Sequence, residues 1–126
     1  MRAVDTNILV RLVTRDDRRQ LALAEEFISR GAWVSTLVLA ETAWVLAAVY
    51  ELTHEDIATV VAMLLSHEHL ALQDVEVVLA ALEQYRAVPA LGFTDCLVVE
   101  IARKAGHLPA GTFDKRLSTI EGAERL

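Results

Sequence analysis

The sequence contains few residues that interrupt or cross-link a chain. Its 126 residues include one cysteine, two prolines and five glycines. The single cysteine, Cys96, excludes an internal disulfide framework and is typical of proteins from reducing compartments. So little proline and glycine, with 54% hydrophobic residues, excludes collagen-like, low-complexity and disordered chains. The sequence therefore predicts one domain, residues 1–126, built around a substantial core.

Long hydrophobic runs and an N-terminal export signal are also missing. No apolar stretch approaches the roughly 20 residues that cross a bilayer. Asp5 interrupts the first apolar run almost at once. We therefore expect a cytoplasmic protein that makes no membrane contact.

Basic residues are fewer than acidic residues. Twelve basic against 18 acidic residues give a formal net charge of −6, which opposes non-specific nucleic-acid binding through a basic patch. The balance leaves open a protein that meets phosphate groups through bound cations, with some carboxylates acting as metal ligands.

Short β-like runs alternate with longer runs at helical spacing, a pattern typical of an α/β domain. Strands are expected at residues 3–5, 32–35 and 70–72, and a short or edge strand within 108–113. Because helices lie between successive strands, the sheet is expected to be mostly parallel.

Capping residues mark the predicted helix ends. Asp16 or Asp17 begins the second helix, Thr53 and Asp56 resemble a capping box, and Asp74 and Thr94 begin the last two helices. The helix after Asp74 is expected to bury one shared face, made of Val75, Val78, Leu79, Leu82 and Tyr85.

Four carboxylates stand at positions where a parallel sheet presents its functional edge. Asp5 and Asp114 follow predicted strands, whereas Glu41 and Asp95 lie early in predicted helices. Capping or turn formation would also explain each aspartate. Glu41 lies in TLVLAETAWVLAAVYEL, which predicts a buried helix, and a buried lone carboxylate costs several kcal/mol unless it is paired, protonated or metal-bound. The alternative is that Glu41 is partly exposed, on a polar stripe of the helix that includes Thr42.

A cluster of four carboxylates would be strongly repulsive without cations. Mg²⁺, or Mn²⁺ as the alternative, prefers such oxygen ligands and can activate water at a phosphodiester. The four positions therefore predict a divalent metal site.

The same residues carry a family resemblance. VDTN at 4–7, STLVLAE at 35–41, FTDCL at 93–97 and TFD at 112–114 stand in the order found in PIN domains, and the chain resembles the VapC-type toxin ribonucleases among them. The resemblance implies a three-layer α/β/α sandwich with a short, mostly parallel central sheet.

The resemblance also implies roles for individual residues and partners. Asp5, Glu41, Asp95 and Asp114 match the catalytic, metal-binding acidic quartet. Three polar residues match positions that support the metal site: Thr6, Asn7 and Thr112. The implied activity is metal-dependent RNA cleavage that leaves a 5′-phosphate and a 3′-hydroxyl. The implied partners are a second copy of the chain and an antitoxin similar to VapB.

RNA binding by so acidic a chain must depend on local cations. The candidates are Arg11, Arg15, Arg18, Arg19, Lys115 and Arg116. Solvated helix faces and helix-end charges are the alternative explanation for each side chain.

Two other functions are compatible with these residues. A Mg²⁺-dependent phosphatase or phosphotransferase would use Asp5 as its nucleophile, although DTN lacks a second acid two residues on. A non-catalytic module would use the acidic pocket only to dock a basic peptide.

Overall fold

The structure is a computed structural model that describes residues 1–126. It divides into two compact units, Met1–Asp74 and Val75–Leu126. The single domain expected from chain length stays a prediction.

A three-stranded parallel sheet lies in the first unit. Its strands are β1 (Arg2–Ala3), β2 (Ala32–Val34) and β3 (Leu70–Leu72), in the order β1-β2-β3. In β2, Ala32 and Val34 are buried and Trp33 faces outward, as the two-residue period of a strand requires. The first strand ends at Ala3 rather than at Asp5, because Asp5 already caps the following helix.

Four helices complete this unit: α1 (Thr6–Thr14), α2 (Arg18–Ile28), α3 (Thr36–Ala48) and α4 (His54–Ser66). Each begins at a side chain that accepts a backbone N–H of the first turn; these caps are Asp5, Asp17, Ser35 and Thr53. Of the two aspartates offered for α2, Asp17 is the cap. The predicted capping box of Thr53 and Asp56 is confirmed.

Helix α3 buries one face only, so the prediction of a buried helix is wrong. Leu39, Ala43 and Leu46 lie in the core, whereas the side chains of Leu37 and Trp44 are 74% and 63% exposed. An apolar composition on all sides cannot tell which sides the rest of the unit will cover.

The second unit contains two packed helices, α5 (Val75–Ala87) and α6 (Phe93–Ala105). The rings of Tyr85 and Phe93 meet edge to face, with centroids 5.7 Å apart. The predicted apolar face of α5 is partly wrong, because Val75 and Leu79 are exposed. The buried residues of α5 are Val77, Val78, Ala81, Leu82 and Tyr85.

Helix α6 begins two residues earlier than predicted. Its N-cap is Gly92, with an extended backbone and no side-chain cap, and Thr94 lies inside the first turn. Gly106 ends the helix at φ 82°, a left-handed conformation that glycine adopts without strain. The predicted stop at Gly106 is therefore confirmed and the predicted cap at Thr94 is wrong.

A second, two-stranded parallel sheet closes the C-terminal unit. It pairs β4 (Ala110–Thr112) with β5 (Ala123–Arg125), and a 3₁₀ turn at Leu117–Thr119 lies between them. The short strand expected within 108–113 is thus present. The strand β5 was not predicted, because Ala, Glu and Arg have little intrinsic preference for strands. All strand pairs are parallel and short, which confirms the α/β class.

Candidate active site

Asp5 lies on the loop between β1 and α1 and is exposed. Its Oδ1 accepts the backbone N–H of Ile8 at 3.3 Å, while Oδ2 accepts no hydrogen bond from the protein. Because Asp5 caps α1, its negative charge lies at the positive end of the helix dipole. One carboxylate oxygen is therefore free for a ligand.

Thr6 and Asn7, expected to support the metal site, open helix α1. Thr6 is half-buried and Asn7 is exposed. Asn7 lines a groove together with Asp5, and its side-chain amide makes no hydrogen bond within the protein. Asn7 is therefore free to bind a group held near Asp5.

Glu41 lies in the middle of α3 and is exposed, so the argument from a buried carboxylate does not apply. It lies on the same side of the helix as Leu37 and Trp44, four residues before it and three after it. Water can solvate its charge, and no partner is required. Beside it, Thr42 is buried and donates its hydroxyl to the carbonyl of Val38 at 2.7 Å.

Asp95 is the third residue of α6 and is half-buried. Its carboxylate folds back towards the helix start, since a Cβ built on Gly92 would lie 3.5 Å from its Oδ2. The helix dipole favours a negative charge there. Glycine at the N-cap thus leaves the carboxylate uncovered on that side.

Cys96, next to Asp95, is fully buried. Burial is the main cause that raises the pKa of its thiol to about 12, and the nearby charges of Asp95 and Glu100 add to it. A thiol that stays protonated is a poor nucleophile. The expected role of Cys96 in the core therefore agrees with its burial.

Asp114 lies in the loop between β4 and the 3₁₀ turn and is exposed. Its Oδ1 accepts the backbone N–H of Arg116 at 2.8 Å and that of Leu117 at 3.4 Å. Its own N–H donates to Oγ1 of Thr112 at 2.9 Å. The carboxylate is thus oriented by the loop, and Oδ2 receives no hydrogen bond from the protein.

The four carboxylates divide evenly between the units, with Asp5 and Glu41 in the first and Asp95 and Asp114 in the second. Neither unit by itself places three or more His, Cys, Asp or Glu side chains so that they could hold a metal ion. The donors are nevertheless of the type that Mg²⁺ and Mn²⁺ prefer. The quartet as one metal site stays a prediction.

The basic candidates differ in how free they are. Arg11 binds the carboxylate of Asp16 and donates to Oη of Tyr50 at 3.3 Å, and both contacts raise the pKa of its guanidinium. Arg15 is 62% exposed, with Nη2 3.9 Å from a carboxylate oxygen of Glu25. Both flank the loop between α1 and α2. Among the candidates on α2, Arg18 and Arg19 are exposed, as are Lys115 and Arg116 beside Asp114.

Two features near the candidate residues were not predicted from the sequence. Phe113, which precedes Asp114, is 82% exposed, and an exposed ring is a surface on which a base can stack. Glu100 is buried in α6 and binds Arg103 one turn later. The i, i+3 spacing of opposite charges in an apolar stretch was the signal that could have revealed the second feature.

Comparison with protein families gives a match for the PIN domain over residues 2–123. This span includes nearly the whole chain and all four carboxylates. The chain belongs to the PIN domain family. No curated protein and no solved structure matches it.

Membership of the PIN family, with six helices and short parallel sheets, confirms the predicted α/β sandwich. PIN domains are in general nucleases and typically use divalent metal ions. The family therefore indicates a metal-dependent nuclease that acts on nucleic acid. Among the helices of the structure, none is long and apolar enough to cross a membrane.

Proposed function

We propose that this PIN domain is an endoribonuclease that hydrolyses RNA phosphodiester bonds and acts in the cytoplasm as the toxin of a toxin-antitoxin pair. The observation that carries the proposal is the family match over residues 2–123, which includes four acidic residues in the order of the VapC-type motifs. That motif order favours this narrower function over other nucleases.

In this proposal the acidic quartet holds one or two Mg²⁺ ions, with Mn²⁺ as the alternative. A bound ion would lower the pKa of an attacking water and neutralise charge that develops on the phosphate. Asp5 and Asp114 each offer an oxygen without a hydrogen bond from the protein. Thr112 would hold the loop that carries Asp114, through the hydrogen bond that its hydroxyl accepts.

RNA would be bound by groups next to the carboxylates. Lys115 and Arg116 are exposed immediately after Asp114, and Phe113 is exposed immediately before it. Cations that contact the backbone and a ring that stacks on a base are a common combination in single-strand binding. Arg15 and Arg11 flank the other candidate loop, although Arg11 is already bonded to Asp16.

Partners would bind through apolar side chains that the single chain leaves exposed. Leu37 and Trp44 on α3 are exposed on the same side of the helix as the candidate carboxylate Glu41. We propose that a second copy of the chain or the antitoxin covers them. An antitoxin arginine or lysine directed at Glu41 would then compete with metal binding.

The proposal is tested with purified, antitoxin-free protein and a mixed RNA pool, with Mg²⁺, with Mn²⁺ and with a chelator. Four variants are run in parallel: Asp5→Asn, Glu41→Gln, Asp95→Asn and Asp114→Asn. We expect cleavage that needs a divalent ion, leaves 5′-phosphate ends and is lost in all four.

A matched control is Glu55→Gln, an exposed acid in the first turn of α4 outside the quartet. It should cleave like the wild-type protein. Metal-independent cleavage, or cleavage that survives in the four variants, would contradict the proposed site. A protein that binds a basic peptide through these acids and cleaves no RNA would be the docking module instead.

A further inference from the structure

A groove lies between α1 and α2, and Asp5 is one of the residues that line it. Its volume is about 630 Å³, which lies in the usual range for small-molecule sites. We call it the Asp5 groove; its lining residues are Asp5, Asn7, Ile8, Arg11, Gln20, Leu23, Ala24 and Phe27. All of them belong to the first unit.

One wall of the Asp5 groove is apolar and includes an aromatic ring. Leu23 is 56% exposed and borders both this groove and a neighbouring pocket. The ring of Phe27 is covered on one side by Arg2, whose guanidinium carbon lies 3.8 Å from the ring centroid. Arg2 also donates to the carbonyl of Phe27 at 3.0 Å. Arg2 lines the neighbouring pocket, which shares Leu23 and Phe27 with the Asp5 groove, and it is not among the residues that line the groove itself.

The groove also contains hydrogen-bonding groups without partners in the protein. The side-chain amides of Asn7 and Gln20 are exposed and make no hydrogen bond within the protein. Gln20 is nevertheless held in place by its backbone N–H, which donates to Oδ1 of Asp17 at 3.0 Å. Nε of Arg11 is buried and has no hydrogen-bond partner. Asn7 lies on α1, whereas Gln20 shares one face of α2 with Leu23 and Phe27. Amide donors and acceptors therefore line the same groove as the apolar side chains.

We propose that the Asp5 groove binds a single unpaired nucleobase of the RNA, next to the phosphate that is cleaved. The inference rests on the proposed function and adds a site of base selection to it. A base is flat and apolar on its faces and carries donors and acceptors on its edge, which matches the mixture of apolar and amide side chains that line the groove. Unpaired RNA bases are generally recognised by stacking and by hydrogen bonds to their edges.

The two amides favour adenine among the bases. An Asn or Gln side chain can donate to N7 and accept from N6 of adenine at the same time. The groove's charged groups also fit a neutral ligand, because Arg11 is already paired with Asp16 and Asp5 would repel a second phosphate. An apolar side chain of a partner protein could pack against Leu23 and Phe27, but it would leave the amides of Asn7 and Gln20 without hydrogen bonds.

The first test measures binding without catalysis. The four nucleoside 5′-monophosphates are titrated into the wild-type protein, without metal, while backbone and methyl resonances are followed by NMR. Shifts at Leu23, Ala24 and Gln20, largest with AMP, support the proposal. Binding should weaken about tenfold in Gln20→Ala and in Leu23→Ala, two exposed positions whose replacement leaves the core intact. Shifts confined to other surfaces would overturn it.

The second test measures base selection during cleavage. An RNA library with randomised positions is cut by the wild-type protein, by Gln20→Ala and by the control Gln84→Ala, the same replacement on α5 outside the groove. The preference for one base beside the cut should fall about tenfold in Gln20→Ala and stay unchanged in Gln84→Ala.

These tests separate the inference from the proposed function. If Gln20→Ala cleaves RNA with the same base preference as the wild-type protein, the groove does not select a base. The proposed nuclease activity would be unaffected by that result. If the wild-type protein cuts no RNA, the proposed function fails, and the NMR titration alone decides whether the groove binds a base. If the resonances of the groove residues shift with an apolar peptide but with none of the nucleotides, the groove binds a partner protein. That result would overturn the inference.

Discussion

The buried carboxylate of Glu100 accepts from Nε of Arg103 on both oxygens, at 3.3 and 3.2 Å. The same guanidinium donates through Nη2 to the carbonyl of Glu121, just before β5. Next in the chain, Gly122 has φ 99°, and a Cβ there would come within 3.0 Å of Arg103 Nη2. One arginine therefore joins α6 to the segment that carries β5.

Replacing Arg103 by alanine should destabilise the protein, because it leaves the Glu100 carboxylate buried without its partner. Loss of one partner of a buried pair costs about 3–5 kcal/mol. The side chain of Arg103 is 37% exposed, so we expect a smaller loss of about 1–3 kcal/mol. Urea unfolding measures it. The control Lys104→Ala, which breaks an exposed pair with Glu76, should change stability by less than about 1 kcal/mol. Equal effects of the two variants would contradict the prediction.

Asp5 and Asp17 allow the capping role to be separated from the chemistry. Both are N-caps, with Oδ1 accepting from Ile8 at 3.3 Å and from Gln20 at 3.0 Å. Asparagine caps about as well as aspartate, so Asp5→Asn and Asp17→Asn should each change stability by less than about 0.5 kcal/mol. Only Asp5→Asn should lower RNA cleavage, by about a hundredfold or more. A similar loss of cleavage in Asp17→Asn would contradict the prediction, because it would show that the loss is not specific to the candidate site.

Thr112 should matter through Asp114. Thr112→Val removes the acceptor of the Asp114 N–H but keeps the shape of the side chain. We expect kcat for RNA cleavage to fall about tenfold with little change in KM, and Thr112→Ser to restore it. The control Thr59→Val removes a hydroxyl that donates only to the carbonyl of Glu55 on α4. If Thr112→Val lowers stability and leaves kcat unchanged, the hydroxyl has only a structural role.

Alkaline pH should destabilise the fold through Cys96. Burial raises the pKa of its thiol from 9.0 in the ordinary state to about 12 in the folded state. The folded protein therefore keeps a proton that the unfolded chain loses, and stability is complete below 9.0 and declines as pH rises towards about 12. Burial raises the pKa of Tyr85 as well, which acts in the same direction.

Urea unfolding between about pH 8 and about pH 10.5 checks this effect, with Cys96→Ala as the comparison. The variant lacks the thiol, so its stability should decline less steeply over this interval. Identical slopes would show that Cys96 does not contribute. Iodoacetamide should also alkylate Cys96 slowly in the folded wild-type protein and faster once the protein is unfolded.

Trp44 tests the proposed partner surface on α3. Its side chain is 63% exposed, so Trp44→Ser should change the stability of a single chain by less than about 1 kcal/mol. If α3 contacts a second copy, the variant should sediment as a monomer at concentrations where the wild-type protein is dimeric. If Trp44→Ser dimerises like the wild-type protein, the dimer contact lies elsewhere than on this face of α3.

Features that depend on neighbouring residues followed from the sequence. The capping box of Thr53 and Asp56, the stop at Gly106 and strands near residues 32–34 and 70–72 were all predicted. A cap or a left-handed stop is a hydrogen bond or a backbone conformation within a few residues, so the local residue types determine it. The PIN motifs were visible for the same reason, since each is a short contiguous block.

Burial and strand pairing were decided only by the tertiary structure. The sequence of α3 is apolar on every side, and only its packing showed that Leu37, Glu41 and Trp44 share an uncovered side. The strand β5 exists because β4 lies beside it, not because Ala123–Arg125 prefers an extended conformation. Both outcomes depend on contacts between distant segments, which the composition of one segment does not specify. The sequence by itself determined several helix ends and the family, and the tertiary structure determined which surfaces are free to bind.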